Sequence, residues 1–366
     1  MLDNKTIAVV IPAYNEEAQI GRVLETMPAF VDRMVVVNDL SGDRTAEVVK
    51  SFMEKDRGGY RSPRIGPRSV EPDFYNEAEI VLQEYDRQEI RYFLPSEVVN
   101  KEPEGDRVIL INQIRNGGVG AAIARGYKWC KDNNIDCTAV MAGDGQMDPA
   151  ELESICRPVL DEGTDYVKGN RLIHRSAKLV MPRRRYFGNS ILSILTKVAS
   201  GYWRVSDTQT GYTAISLAAL RKIDLHKIYP RYGMPNDMLV RLNLARCTLK
   251  EVEIKPVYRV GERSKMRIMR VIPRVSWLLF RSFFRRIWVR YFKRDFHPLF
   301  LLYVLGILLF LASIPFLIEI LTYLFVAGPA TPNSILLIYI FLVISGLQSW
   351  FFAMWMDIQD NDRLQK

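Results

Sequence analysis

Apolar and polar positions divide this chain into a patterned stretch and an almost unbroken one. Up to about residue 260, short apolar runs alternate with segments whose apolar positions recur every three or four residues. Ile7–Ile11, Met34–Val37, Val108–Asn112 and Thr138–Met141 are rich in β-branched and aliphatic residues. Runs of that kind suit parallel strands buried on both faces. Helical spacing predicts a helix opened by Asn15-Glu16-Glu17 and carried through Ile20, Val23 and Leu24. Ala46–Met53 and Ala121–Cys130 read as further helices, and so does Pro149–Asp161, with Asp148 as N-cap and Pro149 at N1. A strand at Tyr166–Lys168 and an apolar helix at Ser190–Ala199 follow. The alternation implies an α/β, Rossmann-like domain with a mostly parallel sheet. Ligands of such sheets sit outside the carboxyl ends of the strands.

The segment Arg57–Gly105 interrupts this rhythm with five prolines between Pro63 and Pro103. A helix is expected around Tyr75–Arg91. A surface excursion, tolerated because loop closure grows slowly with length, and a substrate lid both remain open for this insertion. Arg115-Asn116-Gly117-Gly118-Val119-Gly120 forms a glycine-rich turn before a helix. Its spacing is not that of a dinucleotide fingerprint, and it is not at the first crossover. Close packing of helix on sheet explains most of these glycines.

Beyond residue 260 the pattern changes. Leu299–Ile318 and Ile335–Met356 are runs of twenty and twenty-two residues without a charge. At about 1.5 Å per residue, each reaches across a bilayer core of about 30 Å. Two transmembrane helices are expected, and the cost of a charge at mid-membrane should end the first near Ile318, before Glu319. Residues 261–297 form a basic amphipathic juxtamembrane segment. Between Arg263 and Arg294 there are eleven Lys or Arg residues, whereas Ala327–Ser334 has none. The positive-inside rule then puts the catalytic domain, residues 1–260, and a tail, 358–366, on the cytoplasmic side of an integral membrane protein. Arg267, Arg270, Arg274, Arg281 and Arg285 share a helical face suited to membrane lipid headgroups.

Composition adds exclusions. The net charge of +9 invites a nucleic-acid reading, but the basic residues lead straight into a span, so no nucleic acid is expected. The N-terminus carries no basic leader or apolar stretch of a signal peptide. Four cysteines lack metal-ligand or disulfide spacing, and three scattered histidines argue against serine- or zinc-based hydrolysis.

The first strand runs into Ile11-Pro12-Ala13-Tyr14-Asn15-Glu16-Glu17, the second into Asn38-Asp39, and the Thr138 strand into Gly143-Asp144-Gly145-Gln146-Met147-Asp148-Pro149. In this order, ahead of a membrane anchor, these motifs resemble the family 2 glycosyltransferases. Within that family the chain is most similar to the dolichol-phosphate mannose synthase and polyisoprenyl-phosphate glycosyltransferase branch. The resemblance implies a GT-A fold over roughly Thr6 to Val260. It also implies an inverting transfer of a hexose from a nucleotide diphosphate sugar (GDP- or UDP-linked) to polyprenyl or dolichyl phosphate. By resemblance, Pro12, Tyr14 and Glu16 surround the nucleoside and Asp39 meets its base or ribose. An aromatic face and carboxylate acceptors are chemically suited to that task.

Relatives usually carry Asp-x-Asp-x-Gln at the metal strand. Here those positions are Ala142, Asp144 and Gln146, so the first acid is missing. Asp144 is then the expected ligand of Mg²⁺ or Mn²⁺, with Gln146 beside it and phosphate oxygens and water completing the shell. An anionic acceptor requires cationic positioning more than a base. Arg171 and Arg183, Arg184 and Arg185 are candidates for the lipid phosphate. Asp237 falls where relatives carry an acid near the acceptor; it is a base if the acceptor is a lipid hydroxyl, and an orienting group if it is a phosphate. The rival readings are a transferase to such a hydroxyl and a nucleotide-sugar-binding membrane scaffold without turnover, to which Ala142 lends support. Homo-oligomerisation is left open.

Overall fold

In the computed structural model, the apolar runs become a single mixed sheet. Its strands are β1 (Ile7–Ala13), β2 (Arg33–Asn38), β3 (Ser96–Val98), β4 (Val108–Gln113), β5 (Cys137–Val140), β6 (Tyr166–Asn170), β7 (Thr213–Ser216) and β8 (Leu249–Glu253). They lie side by side in the order β3-β4-β2-β1-β5-β7-β6-β8. The structure describes residues 1–56, 65–67, 72–180, 183–257, 268–325 and 331–366, without the side chains of 178, 183–189 and 268–271.

β4, β2, β1 and β5 are parallel, as continuous apolar runs require. β7 is antiparallel to both β5 and β6, while β6 and β8 are parallel. Alternate side chains of each strand enter opposite cores, the period-2 consequence of the pleat. Val10, Val35 and Val37 pack with Ile123 and Tyr127 of the helix Val119–Asp132. Val9, Ile11, Met34 and Val36 pack with Ile20, Leu24, Val49 and Ile155 on the other face. A Cβ on Gly126 would lie 2.3 Å from Val10 Cγ1, so the glycine permits the helix to approach the sheet.

The first helix departs from expectation. It spans Ile20–Glu25, starting five residues later than Asn15. Asn15, Glu16 and Glu17 donate their backbone N–H groups to Ser41 Oγ, Thr45 Oγ1 and Asp43 Oδ2. These long-range bonds stitch the loop after β1 to the loop after β2 and compete with a helical turn.

The insertion joins the sheet. Its helix, Glu77–Gln88, buries no residue, but a 3₁₀ turn at Glu89–Tyr92 then leads to β3, which pairs antiparallel with β4. Glu89 is buried, accepting the N–H groups of Leu225 and His226 and the Lys131 ammonium. A buried carboxylate with that many donors anchors the segment to the domain.

The helix Ile268–Trp288 continues through a π-helical stretch, Val289–Arg294, into two long apolar helices, Pro298–Phe325 and Asn333–Asp362. Both are long and apolar enough to cross a membrane. They form a hairpin in which a Cβ on Gly306 would lie 3.2 Å from Gly346 O. The first helix runs on past Ile318 and the exposed Glu319 to Phe325. Trp277, Phe280, Phe284, Trp288 and Phe292 make an exposed aromatic row, and Arg274, Arg281 and Arg285 are exposed. Arg267 lies outside the described residues, as does the side chain of Arg270.

Arg286 and Arg290 behave differently. Arg286 is fully buried and forks onto both carboxylate oxygens of Asp357 at 2.7 Å, while its remaining N–H groups reach Ala199 O and Val198 O. Arg290 bonds Asn243 and Asp360, and Tyr291 Oη donates to Asp357. Arg286 meets Asp357 and, one turn further on, Arg290 meets Asp360, so two helical faces interlock. The chain end follows: Leu249 N–H donates to Leu364 O and Lys366 N–H to Leu249 O, extending β8. Residues 358–366, expected as a tail, are therefore packed against the catalytic domain.

Removing one partner of a buried pair strands a charge, at a cost of about 3–5 kcal/mol. Asp357→Ala should accordingly destabilise the detergent-solubilised protein by about that amount, whereas pairing Asp357→Leu with Arg286→Met should recover most of it. Thermal melts of the three proteins check this, and a single variant as stable as the parent contradicts it.

Candidate active site

Registers align the strand ends into one rim. Ala13 pairs with Asn38 and Asn38 with Asn112, and the Asn38 amide donates to Asn112 Oδ1 at 3.0 Å. Val10 pairs with Val140, and the Gly143 N–H reaches Pro12 O at 3.3 Å. The loop after β5 thus stays beside the end of β1 as far as the residue before Asp144. β2 and β5 follow β1 on opposite sides, so this rim straddles the switch point of the sheet, where open α/β sheets bind ligands.

Pro12 is buried within β1 and contributes its carbonyl, while Tyr14 is exposed and Glu16 half-buried. Asp39 is buried at the floor of the rim. Its two carboxylate oxygens accept the N–H groups of Gly117 and Gly118 at 2.6 and 2.7 Å. Burial pushes its pKa above the ordinary aspartate value, against these bonds and the charge of Arg231. Gly118 has φ +89°, the left-handed region that favours glycine. Further on, the N–H groups of Gly120 and Ala121 both go to Pro230 O. Those donors are thus occupied by protein acceptors, and Gly118 and Gly120 give room to the Tyr229–Pro230 loop, not to the sheet that the sequence reading expects.

Around the metal strand, Asp144 and Gln146 stand half-buried, and the Gln146 N–H donates to Asp144 Oδ1 at 3.1 Å. Asp148 caps the following turn, accepting the Ala150 N–H, with Pro149 next to it. Among the described residues no cluster of three His, Cys, Asp or Glu side chains forms a metal cage. The donor set of one carboxylate and one amide oxygen suits Mg²⁺, which is commonly held by one or two carboxylates plus phosphate oxygens.

Arg171 follows β6 and forks onto Asp207 through Nε at 2.8 Å and Nη2 at 3.1 Å, leaving 22% of its side chain exposed. Asp207 also takes the backbone N–H groups of Gln209 and Thr210. Glu251 of β8 holds the adjoining Ser206 and Asp207 N–H groups, and the Asn170 amide donates to it. Buried Lys168 sits among them, donating to Thr210 O, and burial pulls its pKa down to about 8. Arg183, Arg184 and Arg185 begin the helix Arg183–Ser200, but their side chains lie outside the described residues.

Asp237 is buried in the first turn of the helix Met234–Leu244. Its Oδ2 accepts Arg241 Nε at 2.6 Å and the Tyr229 N–H at 2.8 Å. It orients an arginine and a loop, and its carboxylate is engaged there. Sequence reasoning missed Glu251 and Lys168, whose signal was a charged residue at an inward strand position, and Arg231, which carried no sequence signal.

The family model for "Glycosyl transferase family 2" matches residues 8–64 and 95–224, omitting most of the insertion. The chain belongs to that family and is a glycosyltransferase with a GT-A-like fold. It is 25% identical over 256 residues to a UDP-N-acetylglucosamine–dolichyl-phosphate N-acetylglucosaminyltransferase of Methanococcus voltae, covering 70% of this chain and 87% of that one. It is 23% identical over 299 residues to a dolichyl-phosphate beta-glucosyltransferase of Trichomonas vaginalis, covering 77% and 74%. Over 129 residues, 34% of this chain and 46% of the relative, it is 30% identical to a polyprenol monophosphomannose synthase of Mycolicibacterium smegmatis. Against a crystal structure of glucosyl-3-phosphoglycerate synthase from Mycobacterium tuberculosis it shows 18% identity and a TM-score of 0.46, covering 77% and 78%; so slight a likeness adds nothing to the fold already described.

The Asp207–Arg171 pair generates a pH prediction. Burial pushes Asp207 up, but the Arg171 and Lys168 charges outweigh it and hold the carboxyl below its usual range. An acid whose folded pKa is depressed stabilises fully above its unfolded value, about 3.9, and loses that contribution as pH falls through the folded value. Asp207→Asn should remove this part of the acid limb of the stability profile below about pH 4. Melting temperatures measured from pH 7 downward test it; identical slopes in both proteins contradict it.

Proposed function

We propose that the chain transfers a hexose from a UDP- or GDP-linked sugar to polyprenyl or dolichyl phosphate, with inversion, at the cytoplasmic face of a membrane. The observation that carries this reading is the lock between catalytic domain and hairpin. A family 2 sheet is tied through Arg286 and Asp357 to two membrane-length helices, which suits an acceptor held in the bilayer. The relatives named for dolichyl-phosphate and polyprenol acceptors support the same class.

An oxygen of the lipid phosphate attacks the anomeric carbon as the bond to the nucleoside diphosphate breaks, leaving sugar on the phosphate. The nucleophile is already anionic, so no strong base is required. That fits the engagement of Asp237 with Arg241 and weighs against a lipid hydroxyl acceptor, which would need a base. Tyr14, Glu16 and Asp39 line the nucleoside end, with Pro12 in the strand beneath. Arg171, held by Asp207, and Arg183, Arg184 and Arg185 at the start of the next helix supply positive charge for the acceptor phosphate. Asp144 and Gln146 would hold Mg²⁺ or Mn²⁺, which when bound offsets charge on the departing diphosphate.

Purified protein in lipid should convert polyprenyl phosphate and one nucleotide sugar of a panel into an acid-labile glycolipid. An acid-stable product indicates a hydroxyl acceptor, and no product with any donor supports the scaffold reading. Asp144→Asn should lower transfer by about a hundredfold or more, since metal ions contribute several kcal/mol. Retained activity with unchanged metal dependence removes Asp144 as ligand.

Orientation is tested separately. All four native cysteines are buried, so labelling of introduced ones reads cleanly. Cysteine at position 331 should be modified from outside intact cells and cysteine at 362 should not; the reverse pattern sinks the cytoplasmic assignment.

A further inference from the structure

Strand β6 carries a lysine into the interior. The pleat sends Tyr166, Lys168 and Asn170 to one face of the sheet, where Tyr166 joins the core and Lys168 is fully buried. In register, Lys168 lies between Thr213 of β7 and Glu251 of β8. Its ammonium donates to Thr210 O at 2.5 Å. The charged groups that act on it are Asp207 and Arg171, from loops on either side of the helix Arg183–Ser200, and Glu251 from β8. Burying an ammonium is costly unless opposite charge surrounds it.

Arg171 is aimed without help from this lysine. The Arg171 N–H and guanidinium both donate to Asp207, and the Leu172 and Ile173 N–H groups donate to Asn170 Oδ1. Those bonds fix direction but leave the charge unbalanced. Burial pushes the Glu251 carboxyl up, yet both of its oxygens accept N–H groups, from Ser206, Asp207 and Asn170, the pattern of an ionised carboxylate. Asp207 is held ionised by Arg171 and Lys168. Two buried carboxylates therefore face a single arginine, and the Lys168 charge makes up the difference.

We propose that Lys168 is a positioning residue for the acceptor end of the site: its ammonium balances Glu251, so that Arg171 is not neutralised by two carboxylates and keeps positive charge for the acceptor phosphate. This rests on the acceptor being a polyprenyl or dolichyl phosphate held by Arg171. With the lysine protonated the four groups sum to zero; with it neutral they carry one negative charge, which repels an anionic acceptor. Burial pulls the Lys168 pKa down to about 8, within reach of an assay. An unfolded lysine titrates near 10.4, so between the two values the unfolded chain binds the extra proton and stability rises with pH. A loss of acceptor affinity over that range is therefore not unfolding.

Transfer by the full-length protein in nanodiscs, at saturating nucleotide sugar, tests this through the KM for polyprenyl phosphate between about pH 7 and about pH 9. The natural protein should show a rise of about fivefold centred near pH 8, with kcat and the donor KM within about twofold. Lys168→Met should start about tenfold higher at neutral pH and stay flat, and adding Glu251→Gln should recover at least about threefold by restoring the charge balance. An alkaline rise that persists in Lys168→Met overturns the proposal. So does a loss shared equally by kcat and both KM values, the mark of a merely structural role, or no recovery in a double variant that melts like the single one. A natural protein that makes glycolipid with a flat acceptor KM sinks this inference alone. One that makes none from polyprenyl phosphate with any donor sinks the proposed transfer as well.

Discussion

The buried fork between Arg286 and Asp357 is the constraint on which the arrangement of this molecule depends. Two charges with no exposed surface lose their hydration, and only a complete set of partners offsets that loss. The set is complete here: Asp357 takes Arg286, Tyr291 and Asn361, and Arg286 spends its other N–H groups on carbonyls that end the helix Arg183–Ser200. Its members come from the catalytic domain, the juxtamembrane helix and the last turns of the second apolar helix. Such a network permits one geometry. The sheet cannot swing on a linker relative to the hairpin, so the distance from rim to hairpin is built in.

The same helix that supplies Arg286 inward shows its aromatic row outward. Amphipathic character is therefore divided among three faces: an exposed aromatic row, exposed arginines, and arginines buried in the protein. The helix Arg183–Ser200 touches Arg286 at its end and carries Arg183, Arg184 and Arg185 at its start. Membrane attachment and the basic residues offered for the acceptor thus share one element, about 27 Å long at 1.5 Å per residue over its 18 residues. At the opposite side of the rim, Asp39 ties β2 to the glycine turn, and the turn in turn braces the Tyr229–Arg231 loop. Each side of the crevice is fixed by backbone donors to buried carboxylates, which is the form preorganisation takes when side chains must wait for a ligand.

How legible this was depended on the range of the interaction. Strand positions could be read because burial on both faces demands unbroken apolar runs, and the Asp148–Pro149 helix start because capping is local. The first helix was misplaced because Ser41, Asp43 and Thr45 take the N–H groups that a local reading assigns to a helical turn. The insertion was undecided because nothing around it announces that Glu89 will meet Leu225 and His226, more than a hundred residues away.

By itself the sequence determined five of the eight strands, the acids that follow three of them, the missing carboxylate at Ala142 and two helices long and apolar enough to cross a membrane, since each is set by periodicity, neighbouring residues or run length. Only the tertiary structure decided which charges are buried and with whom. Arg285 and Arg286 are adjacent in the chain, yet one faces solvent and the other faces Asp357. Asp237 read as either a base or an orienting group until folding set it against Arg241 and the Tyr229 N–H. The physical reason is the same in each case: the free energy of a charge depends on the groups that replace its water, and those come from segments that only the fold brings together.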